Sequence, residues 1–343
     1  MKSMVLDRIT NISVGSLPLS LVDLDSTEPG PDEVLIRVSA CAVCHTELDI
    51  IEGRTPPPSF PVTPGHQVVG TILEVGSSVE GLSPGLRVGV AWIFSSCGKC
   101  EYCLTDRENL CPDFQATGRD VNGGYAEYMI AKADFVFQIP SQLSDVEAAP
   151  LLCAGAIGYR SLRLTGMNNG QRLGLMGFGA SGHLVLKLAR HRYPSSEVYV
   201  FARNRREREF ALELGAQWAG DIADTSPEKL HAVIETTPVW KPVVEALNNL
   251  APGGRLVINA IRKEEIDKDY LLRLSYPDHL WMEKEIKSVA NVSRRDVSEF
   301  LLLAAEVEIS PEIQLYSLPE ANKALVEIKE GGIRGAKVLQ VSI

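Results

Sequence analysis

Four cysteines, Cys97, Cys100, Cys103 and Cys111, fall within 15 residues of a 343-residue chain. Thiolates this dense can close a tetrahedron around Zn²⁺, which has no ligand-field preference and takes four sulfurs at about 2.3 Å. Two disulfides are the competing reading. The chain holds seven cysteines, an odd number, and Met1 to Arg8 meets Asp7 before any apolar signal region can form. That points to a cytoplasmic protein, whose thiols stay reduced and favour metal over disulfide. A nucleic-acid zinc ribbon usually pairs two CxxC knuckles at longer separation, whereas three cysteines are bunched here. Lys plus Arg number 34 against 44 Asp plus Glu, and the formal charge of −10 repels nucleic acid and anionic membranes. No run approaches the ~18 apolar residues of a membrane span. The loop is expected to be a closed structural zinc site without a catalytic role.

At roughly 100 to 200 residues per domain the length implies two domains. A 45% hydrophobic and 23% charged composition is globular. Residues 34–40 and 68–75 are β-branched, are bounded by Gly or Pro, and read as strands. Pro56, Pro57, Pro58, Pro61, Pro64, Pro84 and several glycines make the first 150 residues loop-rich. Beyond them the texture changes. Strands are expected at 172–176, 198–201, 232–235 and 255–259, with helices at 183–192, 205–214 and 242–250 between them. That alternation implies βαβ units and a parallel sheet. A helix at 320–330 and a strand at 336–341 close the chain.

Cys44, His66 and Cys153 stand apart from the cysteine loop. Singly each has a bland reading, since a lone Cys is most often a small buried hydrophobe and a lone His a satisfied loop residue. Spacing alone does not unite them. In chain order, Cys44-His45-Thr46, Gly65-His66, the four-cysteine loop, Cys153-Ala154-Gly155 and a later glycine-rich turn resemble the zinc-dependent alcohol dehydrogenases of the medium-chain dehydrogenase/reductase superfamily. The match covers nearly the whole chain. It implies an α/β protein in which a β-rich GroES-like catalytic domain, residues 1–152 and 292–343, flanks a doubly wound Rossmann domain at 153–291. A cleft between them would hold zinc, substrate and nicotinamide.

Residue by residue, the resemblance implies that Cys44, His66 and Cys153 hold a catalytic zinc with one open position, making two zinc ions per chain. The metal would act as a Lewis acid on alcohol or carbonyl oxygen. Thr46 matches the hydroxyl that takes the alcohol proton, since a hydroxyl both donates and accepts; a helix N-cap is its other reading. Glu47 matches a carboxylate that orients His66, and a solvated loop acid is the alternative. Gln67 stands where the family usually has Glu, and Asp49 where many members have a relay His. With an ordinary pKa near 3.9, Asp49 would accept protons poorly near neutrality.

Gly177, Gly179 and Gly182 spell G-x-G-x-x-G after an apolar strand and before a helix, the context of a dinucleotide turn whose backbone, with Ala180 and Ser181, faces pyrophosphate. His45 and Arg334 resemble further phosphate contacts. At the end of the next strand, Ala202, Arg203 and Asn204 lead into Arg205 and Arg206, with no acid to bind a ribose 2′-hydroxyl. Guanidinium forks suit a 2′-phosphate, so NADP is expected over NAD, against a reading of these arginines as solvated charges. Trp92 and Phe94 resemble substrate-pocket positions, with core packing equally open. The expected reaction is reversible oxidation of a primary or secondary alcohol to an aldehyde or ketone. A polyol dehydrogenase, an enal reductase and a non-catalytic NADP(H)-binding protein are the alternatives. The resemblance also implies a homo-oligomer, a tetramer over a dimer, joined near residues 287–292.

Overall fold

The computed structural model describes residues 1–25, 28–331 and 335–341. Two compact units share the chain, Met1–Ala156 with Val292–Ile343, and Ile157–Asn291. The first crossing falls a few residues beyond the expected 152/153, because helix Asp145–Pro150, a π-helical turn Leu151–Gly155 and helix Ala156–Thr165 follow without a break.

In the first unit the strand Glu33–Val43 is the spine. Its Glu33–Arg37 half pairs antiparallel with Tyr128–Lys132, its Ala40–Val43 end with Ala336–Gln340, and most of its length with Val68–Val75. Register shifts at Leu35/Ile36 and Val38/Ala40 bend it, which lets its two ends serve different partners. The sheet continues through Arg87–Val90 to Val136–Gln138 on one side and to Ile313–Ser317 on the other. Val34, Ile36 and Val38 alternate into a core shared with Ile50, Ile51, Val68 and Ile72. Cys41 is fully buried in that core and serves packing.

The π-helical turn bearing Cys153 is seated by helix Arg294–Glu306, which a Ser293/Asp296 capping box opens. Phe300, 1% exposed, fills the space that Gly155 leaves: a Cβ on Gly155 would lie 2.2 Å from the ring.

The second unit is a six-stranded parallel sheet ordered Trp218–Gly220, Val198–Phe201, Leu173–Met176, Leu230–Glu235, Leu250–Ile258, Glu285–Ser288. In chain order this is 3-2-1-4-5-6, the Rossmann arrangement. The strand order reverses beside Leu173–Met176, and dinucleotides bind at the carboxyl edge of such a switch point. The strands Trp218–Gly220 and Glu285–Ser288 were not anticipated from sequence: the first is three residues long, and the second, Glu-Ile-Lys-Ser, is exposed throughout. No helix among the described residues is long and apolar enough to cross a membrane.

Because Phe300 is the wedge behind the Cys153 turn, Phe300→Ala is expected to destabilise the first unit by about 3–5 kcal/mol. Urea unfolding followed by tryptophan fluorescence reads the loss, and an unshifted midpoint would count against the wedge.

Candidate active site

The strand Glu33–Val43 runs into helix His45–Ile51, and Cys44 is the residue between them. Cys44, with extended backbone, caps the helix: its sulfur accepts from the Thr46 N–H at 3.4 Å, and its own N–H donates to Glu47 at 2.8 Å. This corrects the N-cap reading of Thr46, which is the second residue of the helix. The Thr46 hydroxyl has no hydrogen-bond partner among the described residues.

Glu47 is not a solvated acid. It is fully buried, and its second oxygen lies 2.5 Å from His66 Nδ1. His66 follows Gly65, whose φ of +101° suits glycine and whose missing Cβ would sit 2.4 Å from the Tyr125 ring. Trp92 packs edge-on against the imidazole, centroids 5.0 Å apart and planes at 84°. Tyr125 thus packs against Gly65, and Trp92 against the His66 ring. Trp92 and Phe94 are both buried, 3% and 7% exposed, and Trp92 belongs to the core of this unit.

With Nδ1 held by Glu47, His66 presents Nε2 to Cys44 Sγ at 3.7 Å. Cys153 completes the group, and the three ligand atoms lie within 4.8 Å of one another. One tetrahedral zinc with ordinary bond lengths would set sulfur and nitrogen about 3.6 Å apart, so the donor set fits. Cys44 is pushed well above its ordinary value, first by its hydrogen bond with Cys153 and then by burial. Burial alone would lower His66, but the Glu47 carboxylate and Cys44 outweigh it and raise the ring to about 10. A metal entering here must therefore displace protons. Gln67 is buried, and its carbonyl accepts from the Ala42 N–H at 3.0 Å. Asp49 is 5% exposed and pairs with Arg54 at 2.6 Å. His45 is exposed at the helix start.

The second cluster gathers Cys97, Cys100, Cys103 and Cys111, again within 4.8 Å. Cys97 lies 3.9 Å and Cys100 3.5 Å from Cys103, bracketing the roughly 3.8 Å that four sulfurs around one zinc require. Backbone N–H groups of Lys99 and Cys100 bring the Cys97 thiol down to about 6, readying a thiolate. All seven cysteines are free thiols, so the disulfide reading of the loop has no support in the geometry.

In the second unit the glycine turn joins strand Leu173–Met176 to helix Ala180–Arg192. Gly177 has φ +89°, and a Cβ there would meet Thr236 Oγ1 at 2.7 Å; a Cβ on Gly182 would meet the Gly177 carbonyl at 2.8 Å. Gly179 faces open space, the approach a pyrophosphate needs at the helix start. After Phe201, Ala202 is buried, Arg203 is exposed, and Asn204 caps helix Arg205–Glu213 by accepting from Arg206 N at 2.9 Å. Arg205 pairs with Glu209, whereas Arg203 and Arg206 form no salt bridge among the described residues. Arg208, which no motif singled out, braces this corner by donating to the Ala202 and Arg203 carbonyls and to Asp221. Arg334 lies outside the described residues.

A Rossmann-ordered sheet and a Cys–His–Cys cluster in one chain define the class of metal- and dinucleotide-dependent oxidoreductases. Residues 30–141 match the alcohol dehydrogenase GroES-like domain. AdhA of Mycobacterium tuberculosis, described as a probable alcohol dehydrogenase, is 43% identical over 329 residues, 94% of this chain and 93% of that protein. An alcohol dehydrogenase of Geobacillus stearothermophilus is 33% identical over 335 residues, covering 95% and 96%. The solved cinnamyl alcohol dehydrogenase of Sorghum bicolor superposes with a TM-score of 0.86 at 27% identity, over 99% of this chain and 97% of that one. The chain belongs to the zinc-dependent alcohol dehydrogenases of the medium-chain dehydrogenase/reductase superfamily.

Glu47→Gln keeps the shape but removes the charge behind His66. It is expected to weaken metal binding at the Cys44 cluster by about 10- to 100-fold. Competition against a chromophoric chelator measures this; an affinity equal to wild type would mean that Glu47 does not support the ligand.

Proposed function

We propose that this alcohol dehydrogenase carries two zinc ions per chain, prefers NADP, and interconverts small or flat primary and secondary alcohols with their aldehydes or ketones. The convergence of Cys44, His66 and Cys153, three ligands where a fourth position stays open, carries the reading. Zinc held there supplies Lewis acidity toward an alcohol or carbonyl oxygen. Glu47 fixes the His66 ring through Nδ1. The Thr46 hydroxyl takes the alcohol proton and passes one on. Asp49 is engaged by Arg54, so the relay ends at coenzyme ribose or water rather than at this carboxylate. Cys97, Cys100, Cys103 and Cys111 hold the second, structural zinc. Trp92 packs against the ligand imidazole and limits the bulk that fits beside it.

The backbone at Gly177, Gly179, Ala180, Ser181 and Gly182 receives pyrophosphate, with His45 and Arg334 as further phosphate contacts. Ala202, Arg203 and Asn204 line the adenosine ribose. Arg203 and Arg206, exposed and without salt bridges among the described residues, favour the 2′-phosphate of NADP over NAD. The open edge strand Glu285–Ser288, with Ile286 48% exposed, suits assembly with a second copy of the chain on the way to a tetramer. Free thiols throughout suit a cytoplasmic protein.

Metal analysis is expected to return two zinc ions per purified chain, and kcat/KM with NADP to exceed that with NAD. Arg203→Ala with Arg206→Ala should lower kcat/KM for NADP about tenfold or more while sparing NAD. Asp49→Asn should change the pH profile of turnover only slightly. A preference for NAD overturns the coenzyme reading, and a loss of about 100-fold in the Asp49 variant would establish it as a relay member.

A further inference from the structure

The carboxyl edge of the parallel sheet holds a charged pair that the alcohol chemistry does not use. Glu235, last residue of strand Leu230–Glu235, is fully buried, and Lys263 reaches it with a side chain only 9% exposed. The Lys263 ammonium has three donors and three acceptors: Glu235 Oε2, the Thr237 carbonyl at 2.7 Å and the Val239 carbonyl at 3.2 Å. The other Glu235 oxygen accepts from the Thr237 N–H at 2.7 Å and from its hydroxyl. Burial pulls Lys263 down and Glu235 up, and each partner works against the other's displacement. A buried ion pair roughly breaks even against an apolar one. Its yield here is geometric.

The geometry concerns one turn. Thr236 donates to the Met176 carbonyl through both N–H and hydroxyl, at 2.9 and 3.1 Å, and lies directly against Gly177. The segment after strand Leu250–Ile258 grips that turn at three points: Lys263, the Glu264 N–H to the Pro238 carbonyl at 2.6 Å, and Asp267 accepting from Trp240 and Lys241 N–H at the start of helix Lys241–Asn249. Beside it the Asn259 amide nitrogen is buried with no partner among the described residues, a donor that a bound ligand would satisfy. All of this stands at the switch point of the sheet.

We infer that Lys263 and Glu235 are positioning residues for the nicotinamide coenzyme: the pair holds the 236–240 turn in the shape that completes the coenzyme rim against Gly177. The inference rests on the dinucleotide reading of that turn. It acts through the turn, so it governs coenzyme affinity rather than the chemical step.

The test titrates reduced coenzyme, NADPH and NADH, into wild type, Lys263→Met, Lys263→Arg and the double variant Glu235→Gln/Lys263→Met, by coenzyme fluorescence. The double variant leaves no unpaired buried charge, which guards against simple unfolding. Coenzyme Kd is expected to rise about tenfold in Lys263→Met and in the double variant, the scale of one lost hydrogen bond. Lys263→Arg should restore part of it. At saturating coenzyme, kcat, alcohol KM and zinc content should stay within about twofold of wild type, a split that general loosening of the fold would not give. A folded double variant with wild-type Kd overturns the inference, and so does a fall in kcat at unchanged Kd. Wild type that binds neither coenzyme would overturn the dinucleotide reading and this inference with it, a result distinct from unshifted variants of a binding wild type.

Discussion

One buried carboxylate organises the candidate metal site. Glu47 has no access to solvent, and an isolated charge there would be prohibitive. It survives because one oxygen accepts the Cys44 N–H and the other meets His66 Nδ1. The same two contacts fix two of the three ligands, one through the backbone at a helix cap and the other through its ring tautomer. Cys153 arrives from elsewhere in the sequence on a π-helical turn, a geometry that re-aims a side chain within a helical run. Phe300 seats that turn, and Trp92 backs the imidazole.

The second unit solves a different problem by the same economy. Parallel strands need no polar side chain to form, and Leu173–Met176 and Val198–Phe201 are buried at every residue. Gly177, Arg203, Glu235 and Asn259 all lie at the carboxyl ends of the strands or in the turns beyond them. The order 3-2-1-4-5-6 brings the turn after the first strand beside the turn after the fourth, which is why Gly177 and Thr236 touch although 59 positions separate them.

These features differ in how far they could be read from sequence. Strands Val68–Val75 and Val198–Phe201 match their expected bounds to the residue, the first as a β-branched run bounded by glycine and the second as a short apolar run. Helices Arg205–Glu213 and Ala321–Glu330 came within one residue, helped by an Asn cap and a terminal glycine. The Cys44, His66 and Cys153 set was legible only through resemblance, because a cluster assembled from three distant segments leaves no local period. The fate of Thr46 shows the limit of capping rules: the cap falls two residues earlier, on Cys44, whose own N–H is taken by Glu47. Trp218–Gly220 and Glu285–Ser288 were missed because a three-residue strand and an exposed polar one carry no hydrophobic alternation. Lys263 and Arg208 were invisible for a related reason. A charged residue in a polar stretch looks solvated until the chain folds back on a carbonyl.

The two cysteine clusters also explain why one chain would keep two metals in different company. Four thiolates around a divalent ion leave a net charge of −2, which blunts its pull on any further oxygen and leaves no vacant position. Two thiolates and a neutral imidazole would leave a net charge of zero and one position free, where the metal would supply Lewis acidity to an alcohol oxygen. Protein charges sharpen the contrast. Glu47, placed behind His66 rather than toward the open side, adds basicity to the ligand without occupying the fourth position. Gln67, buried next to His66 in the sequence, offers a neutral amide where a carboxylate would be a stronger metal ligand, and so would compete less with substrate or water for a metal bound there.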